Sequence, residues 1–126
     1  MTVTPMARPL FLVASLIPMA GTALINGTQT FCTWNVPNDG QVHRFMAFGL
    51  IDTTTLETGG ACPVVWTAPD GTASGTGVNL LGPNLAVGLH QAEVNGHVKP
   101  GTTVTIQQQT ALTSGAAVGW FEIWGS

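Results

Sequence analysis

Charge is what this sequence has least of. Of its 126 residues only 7% are Asp, Glu, Lys or Arg, against roughly 25% in an average soluble protein. Three Lys plus Arg and a formal net charge of −3 provide no basic footprint for nucleic acid or for an anionic membrane surface. Tyrosine is absent altogether. Cysteine occurs twice, as Cys32 and Cys62, too seldom for a disulfide scaffold and without zinc-binding spacing. A cross-strand disulfide stays open, and two buried free thiols are the plainer expectation. Long apolar runs are missing too. The segment ARPLFLVASLIPMAGTA imitates a signal peptide, but its positive region is one arginine, Arg8, and Pro18 breaks the run early. It is too short and broken to span a bilayer as a helix. Residues 1–21 are therefore expected to form an N-terminal arm or first strand, with a secreted precursor as the alternative.

What is present is apolar and turn-rich. Hydrophobic residues make up 44% of the chain, enough for a core and too many for wholesale disorder. With so little charge, either Thr, Gln, Asn and Gly dress the surface or another chain covers much of it. Asn26-Gly27, Asp39-Gly40, Asp70-Gly71 and Asn95-Gly96 mark tight turns. Gly59-Gly60, Gly82-Pro83 and Pro100-Gly101 add further breaks. Between them lie short runs rich in Val, Ile, Thr, Phe and Trp, the residues that suit a pleated, half-buried surface. Strands are expected over 9–16, 22–25, 28–35, 41–51, 54–58, 62–67, 75–81, 85–94, 102–112 and 116–124. No window sustains a helical apolar period. The expected fold is all-β: a single antiparallel β-sandwich over residues 22–126, jelly-roll-like, with an extended N-terminal arm.

Period-2 bookkeeping then picks out surfaces. In QVHRFMAFGLI one face carries Val42, Arg44, Met46, Phe48 and Leu50, and the other His43, Phe45, Ala47, Gly49 and Ile51. Both are largely apolar, whereas an antiparallel sandwich strand normally keeps one wet side. Either the N-terminal arm or a neighbouring subunit would cover the second. In GWFEIWGS, Phe121 and Ile123 oppose Trp120, Glu122 and Trp124, and a buried Trp removes about 150–250 Å² from water. Trp124 either tucks back onto its own domain or meets a subunit or ligand. TVTIQQQT shows a third peculiarity. Thr103, Thr105, Gln107 and Gln109 form an uncharged polar face, and Gln108 follows Val104 and Ile106 onto the apolar one. Amides and hydroxyls can bond with copies of themselves across a symmetry axis.

Chemistry-bearing motifs are scarce. HQAEVNGH offers His90, Glu93 and His97, but a hairpin at Asn95-Gly96 would hold His90 away from His97, and a metal needs its ligands about 2 Å from one point. Asp39 and Asp70 are explained by turns. Asp52, Glu57, Glu93 and Glu122 form no recognisable acid pair. DGTASGTG lacks the Lys-Ser/Thr of a phosphate loop and the spacing of a dinucleotide fingerprint. No nucleophile elbow occurs and no cysteine stands beside a histidine. Asn26-Gly27-Thr28 matches a glycosylation triplet that the turn already explains. No catalytic residue, metal or cofactor is expected. Trp34, Trp66, Trp120 and Trp124 leave a carbohydrate-binding or adhesion module as the alternative function, although few acids or amides flank them.

TFCTWNVPNDGQVHRF, LETGG, HVKPGTTVTIQQQTAL and the EIWGS terminus together resemble the small β-sandwich structural proteins of tailed-bacteriophage virions. The likeness rests on the turn at Val36–Gly40 and the strand opening at Val98–Thr105, and covers residues 22–126. It implies a head decoration, or cement, subunit: non-enzymatic, often trimeric, held to the exterior of a capsid by apolar contacts with the major capsid protein or another virion protein. A tail or fibre location fits nearly as well. The contact residues expected on this reading are Phe11, Leu12, Met46, Phe48, Gln107, Gln108, Gln109, Trp120 and Trp124.

Overall fold

A computed structural model of the chain describes residues 9–16, 29–71, 78–109 and 117–126. Eight strands lie among them: β1 (Phe11–Leu16), β2 (Gln29–Asn35), β3 (His43–Thr53), β4 (Cys62–Thr67), β5 (Val78–Leu81), β6 (Gly88–Val98), β7 (Thr103–Gln108) and β8 (Ala117–Gly125). They form two four-stranded sheets, a front sheet ordered β1-β8-β3-β6 and a back sheet ordered β2-β7-β4-β5. Every strand pairing is antiparallel. Successive strands alternate between the sheets except β4 and β5, which are neighbours. The all-β antiparallel sandwich expected from the sequence is thus the fold observed.

The core is what the alternating side chains enclose. Phe45, Ala47 and Ile51 of β3 and Phe121 and Ile123 of β8 point inward from the front sheet, and Trp34, Val64, Val104 and Ile106 from the back. Phe31 and Phe121 bridge the sheets as a parallel stack, centroids 4.2 Å apart and planes 4° from parallel. Phe45 tilts against Trp66 at 5.4 Å. Cys32 and Cys62 are buried free thiols on strands that β7 separates. Burial pushes both thiols up to about 12.

Several boundaries differ from expectation, each for a physical reason. Residues 54–58 form no strand. This segment carries the chain from the front sheet to the back, and only Glu57 pairs, exchanging two 2.8 Å main-chain bonds with Leu85. Glu57 is itself fully buried, with the Thr55 hydroxyl donating to its Oε1 at 3.2 Å. The Asn95-Gly96 pair makes no turn; it lies inside β6, where Gly96 sits opposite Phe45. A Cβ there would stand 2.7 Å from the Phe45 ring, so this glycine allows close approach rather than a bend. Asp70-Gly71 is a turn as expected: Gly71 has φ +87° and its N–H donates to the Ala68 carbonyl at 2.9 Å. The strand expected at 22–25, the Asn26-Gly27 turn and residues 110–112 lie outside the described residues.

Candidate binding face

The front sheet supplies the candidate site, on its outer side. β3 and β8 occupy the middle of the sheet, and the residues whose alternates fill the core point outward from them. Three cross-strand rows result. Leu12, Trp124, Met46 and Asn95 line up across all four strands; Ser15, Glu122, Phe48 and Glu93 form the next row; Trp120, Leu50 and Gln91 form the third. Side chains standing in such rows are direct neighbours. Phe11, Leu12 and Val13 are exposed at one margin, and Leu89 at the opposite strand is 64% exposed. Trp120 is 41% exposed, while Met46, Phe48, Leu50 and Trp124 are half-buried. The result is an apolar band over β8 and β3 interrupted by Glu122 and bordered on β6 by the exposed polar residues Gln91, Glu93, Asn95 and His97. A shallow recess lies at the border, lined by Phe48, Gln91, Ala92 and Glu93.

Of the nine contact residues expected from the sequence, Leu12, Met46, Phe48, Trp120 and Trp124 come together on this face, whereas Phe11, though exposed at the margin, pairs with Gly125 and so falls on the side of the sheet that faces the core. Trp124 neither enters the core nor stands clear, being seated between Leu12 and Met46. The described part of the arm does not lie across β3; Phe11–Leu16 adds an edge strand beside β8. Gln108 is a correction. It is 1% exposed and points between the sheets with Val104 and Ile106, because strand alternation carries it inward. It cannot meet a neighbouring subunit there. Gln107 and the exposed Gln109 remain on or beside the outer side of the back sheet, where Thr33 faces Thr105, Asn35 faces Thr103 and Thr30 faces Gln107. Leu50 and Leu89 belong to the front face but were not singled out from sequence, although the odd-even pattern of QVHRFMAFGLI already contained Leu50.

The acid and histidine candidates are dispersed. His90 and His97 share β6 but differ in parity, so they project to opposite sides of it; His90 Nε2 reaches the Ala86 carbonyl at 2.6 Å. Among the described residues no group of three His, Cys, Asp or Glu side chains is placed to hold a metal. Glu93 and Glu122 share one row but Phe48 stands between them on an open sheet. His43, inside the sandwich, is hydrogen-bonded through Nε2 with Asp39 Oδ1 at 2.9 Å and through Nδ1 with the Ser126 main-chain oxygen at 2.8 Å. That bond from His43 is the main cause holding the exposed Asp39 carboxyl below its usual range. With Arg44 N–H donating to Ser126 Oγ at 3.0 Å, this set anchors the end of β8 to β3. Its role is structural. Trp34 and Trp66 pack into or against the core, which leaves Trp120 and Trp124 as the outward tryptophans.

No protein-family description matches the sequence, and no curated protein matches it. Among solved structures the chain is similar to one from the structure of infectious bursal disease virus, Gx strain, with a TM-score of 0.54 and 12% identity over 98% of this chain. The match spans 36% of the viral chain. At that identity the likeness is one of fold. The neighbour is not a tailed-bacteriophage protein.

Proposed function

We propose that the chain is a non-enzymatic virion structural protein, a decoration-type subunit that seats the outer face of its front sheet on a capsid shell. The observation that carries this is the set of apolar side chains Trp120, Trp124, Met46, Phe48, Leu50 and Leu12, which surrounds Glu122 and which the described residues leave uncovered, in a chain with 7% charge. Soluble monomers seldom expose contiguous apolar patches of this kind without a use for them. Two tryptophans and four further large side chains amount to several hundred Å², the scale of the about 800 Å² that each partner buries in a standard interface. The strand order supports the reading. Two four-stranded antiparallel sheets with mostly alternating connections support a jelly-roll reading, a plan that capsid domains use among other proteins. The fold likeness to a chain from a virus particle points the same way. Self-association, three copies about one axis, falls to the uncharged Thr/Asn/Gln face of the back sheet. Repetition on a lattice would then multiply weak single contacts.

The test is sedimentation with undecorated shells of the virus that encodes the chain. Wild-type protein pellets with the shells, and the Met46→Glu/Phe48→Glu variant stays in the supernatant with an unchanged circular dichroism spectrum. Wild-type protein that stays in the supernatant overturns the proposal. The second reading, a carbohydrate-binding module, rests on Trp120 and Trp124 sharing one side of β8 with amides on β6 within the same sheet. Their Cα atoms lie about 13 Å apart at the usual strand rise. Saturable quenching of tryptophan fluorescence by an oligosaccharide would favour that module over the shell contact.

A further inference from the structure

A different part of the front sheet is built for a contact of another kind. Among the described residues the sandwich has four edge strands, β1 and β6 in front and β2 and β5 behind. Natural sheets blunt their edges, because a row of open main-chain N–H and C=O groups is a template for another strand. Three of the edges here are blunted. β1 is 6 residues long and its register breaks between Leu12 and Ala14. β2 is 7 residues long and breaks between Thr30 and Cys32. β5 is 4 residues long and its pairing breaks between Cys62 and Pro63. β6 is the exception. It runs 11 residues, pairs with β3 from Val98 to Gly88 without a shift, and contains neither proline nor lysine. Among the described residues, the main-chain hydrogen bonds of Leu89–His97 go to β3 alone.

The side chains of β6 add a second observation. Its inward residues Ala92 and Val94 are only half-buried, whereas those of its neighbour β3 are buried. Among the described residues the edge is therefore open both in its backbone and in its inner apolar surface.

We propose that β6 pairs antiparallel with β6 of a second copy of this chain, about a two-fold axis at Val94, joining two front sheets into one of eight strands. An antiparallel strand pair about a two-fold normal to the sheet must place a residue opposite itself, because paired residues share a face. Centring on Glu93 would oppose two carboxylates, which is unfavourable. Centring on Val94 sets the two valines together over the open inner surface. It also sets Ala92 against Gly96, Glu93 against Asn95 and Gln91 against His97, and no like charges meet. The same axis keeps both outer faces on one side of the joined sheet. If the shell-binding proposal holds, the pair would attach at two points; the pairing itself does not rest on that proposal.

Cysteine cross-linking tests it. Residues directly opposite in an antiparallel pair have Cα atoms about 4.5–5.5 Å apart, within disulfide range, and Cys32 and Cys62 are buried and out of reach. Val94→Cys under mild oxidant should convert most of the protein to a covalent pair of twice 13.0 kDa on a non-reducing gel. Ala92→Cys, opposite Gly96, should not. Cross-linking of neither variant, or of Ala92→Cys instead, overturns the proposed pairing. A second measurement needs no variant. In wild-type protein, amide exchange of alternate β6 residues should slow at least tenfold between dilute and concentrated samples, and exchange independent of concentration would overturn the self-pairing. Neither readout involves a shell, so failure here and failure of the sedimentation test are separable.

Discussion

The division of β8 into a core side and an outer side can be tested at two adjacent residues. Phe121 is 1% exposed and stacked on Phe31, whereas Trp120 next to it is 41% exposed. Removing the Phe121 ring forfeits about 1.5–3 kcal/mol of apolar burial. It also loses about 0.5–1.5 kcal/mol from the aromatic pair. An unfilled cavity between the sheets adds to this, so Phe121→Ala is expected to cost about 3–5 kcal/mol. That is a large share of a total stability of about 5–15 kcal/mol. Trp120→Ala removes a larger side chain but opens no cavity, and its expected cost is under about 1 kcal/mol. Urea titrations followed by circular dichroism, with the m-value checked for constancy, measure both. The expected result is a midpoint for Phe121→Ala well below wild type, and one for Trp120→Ala close to it. Equal losses, or the larger loss at Trp120, would mean that β8 has been assigned the wrong faces. The candidate binding face would fall with it.

Two further outcomes follow from particular contacts. Gly96→Ala places a methyl 2.7 Å from Phe45 Cε1 and 3.0 Å from Cζ, and Phe45 is fully buried with no room to retreat. A loss of about 1–3 kcal/mol in urea unfolding is expected, and a neutral or stabilised variant would refute the close approach. At Asp39 the folded carboxyl is held below its ordinary value, chiefly by the His43 bond. Its contribution is therefore present above the unfolded value of about 3.9 and is lost as pH falls through the lower folded value. The gap between wild type and Asp39→Ala should close as pH falls below about 4; a gap that persists unchanged through the acid range would contradict the assignment.

Local pattern accounts for much of what was legible beforehand. The alternation in HRFMAFGLI and GWFEIW specified two faces for β3 and β8, because successive side chains on a strand must point opposite ways. The Asp70-Gly71 turn was legible because a positive φ selects glycine. Asn95-Gly96 shows the limit of such signals. A glycine that permits a turn and one that admits a neighbouring ring look alike in sequence, and only Phe45, far away in the chain, distinguishes them. Glu57 was equally opaque. Nothing adjacent announces that a glutamate will be enclosed beside Thr55 where one sheet passes to the other.

By itself, then, the sequence determined the all-β class, the two-faced character of each central strand and a surface nearly without charge. These follow from composition and from the two-residue period, both local properties. Tertiary structure alone decided which side became the outside. It set β3 beside β8, which gathered Met46, Phe48, Leu50, Trp120 and Trp124 into one band. It also turned Gln108 inward and left β6 as a long, unbroken edge. Strand neighbours are chosen by the burial of residues far apart in the chain, and no local period encodes that choice.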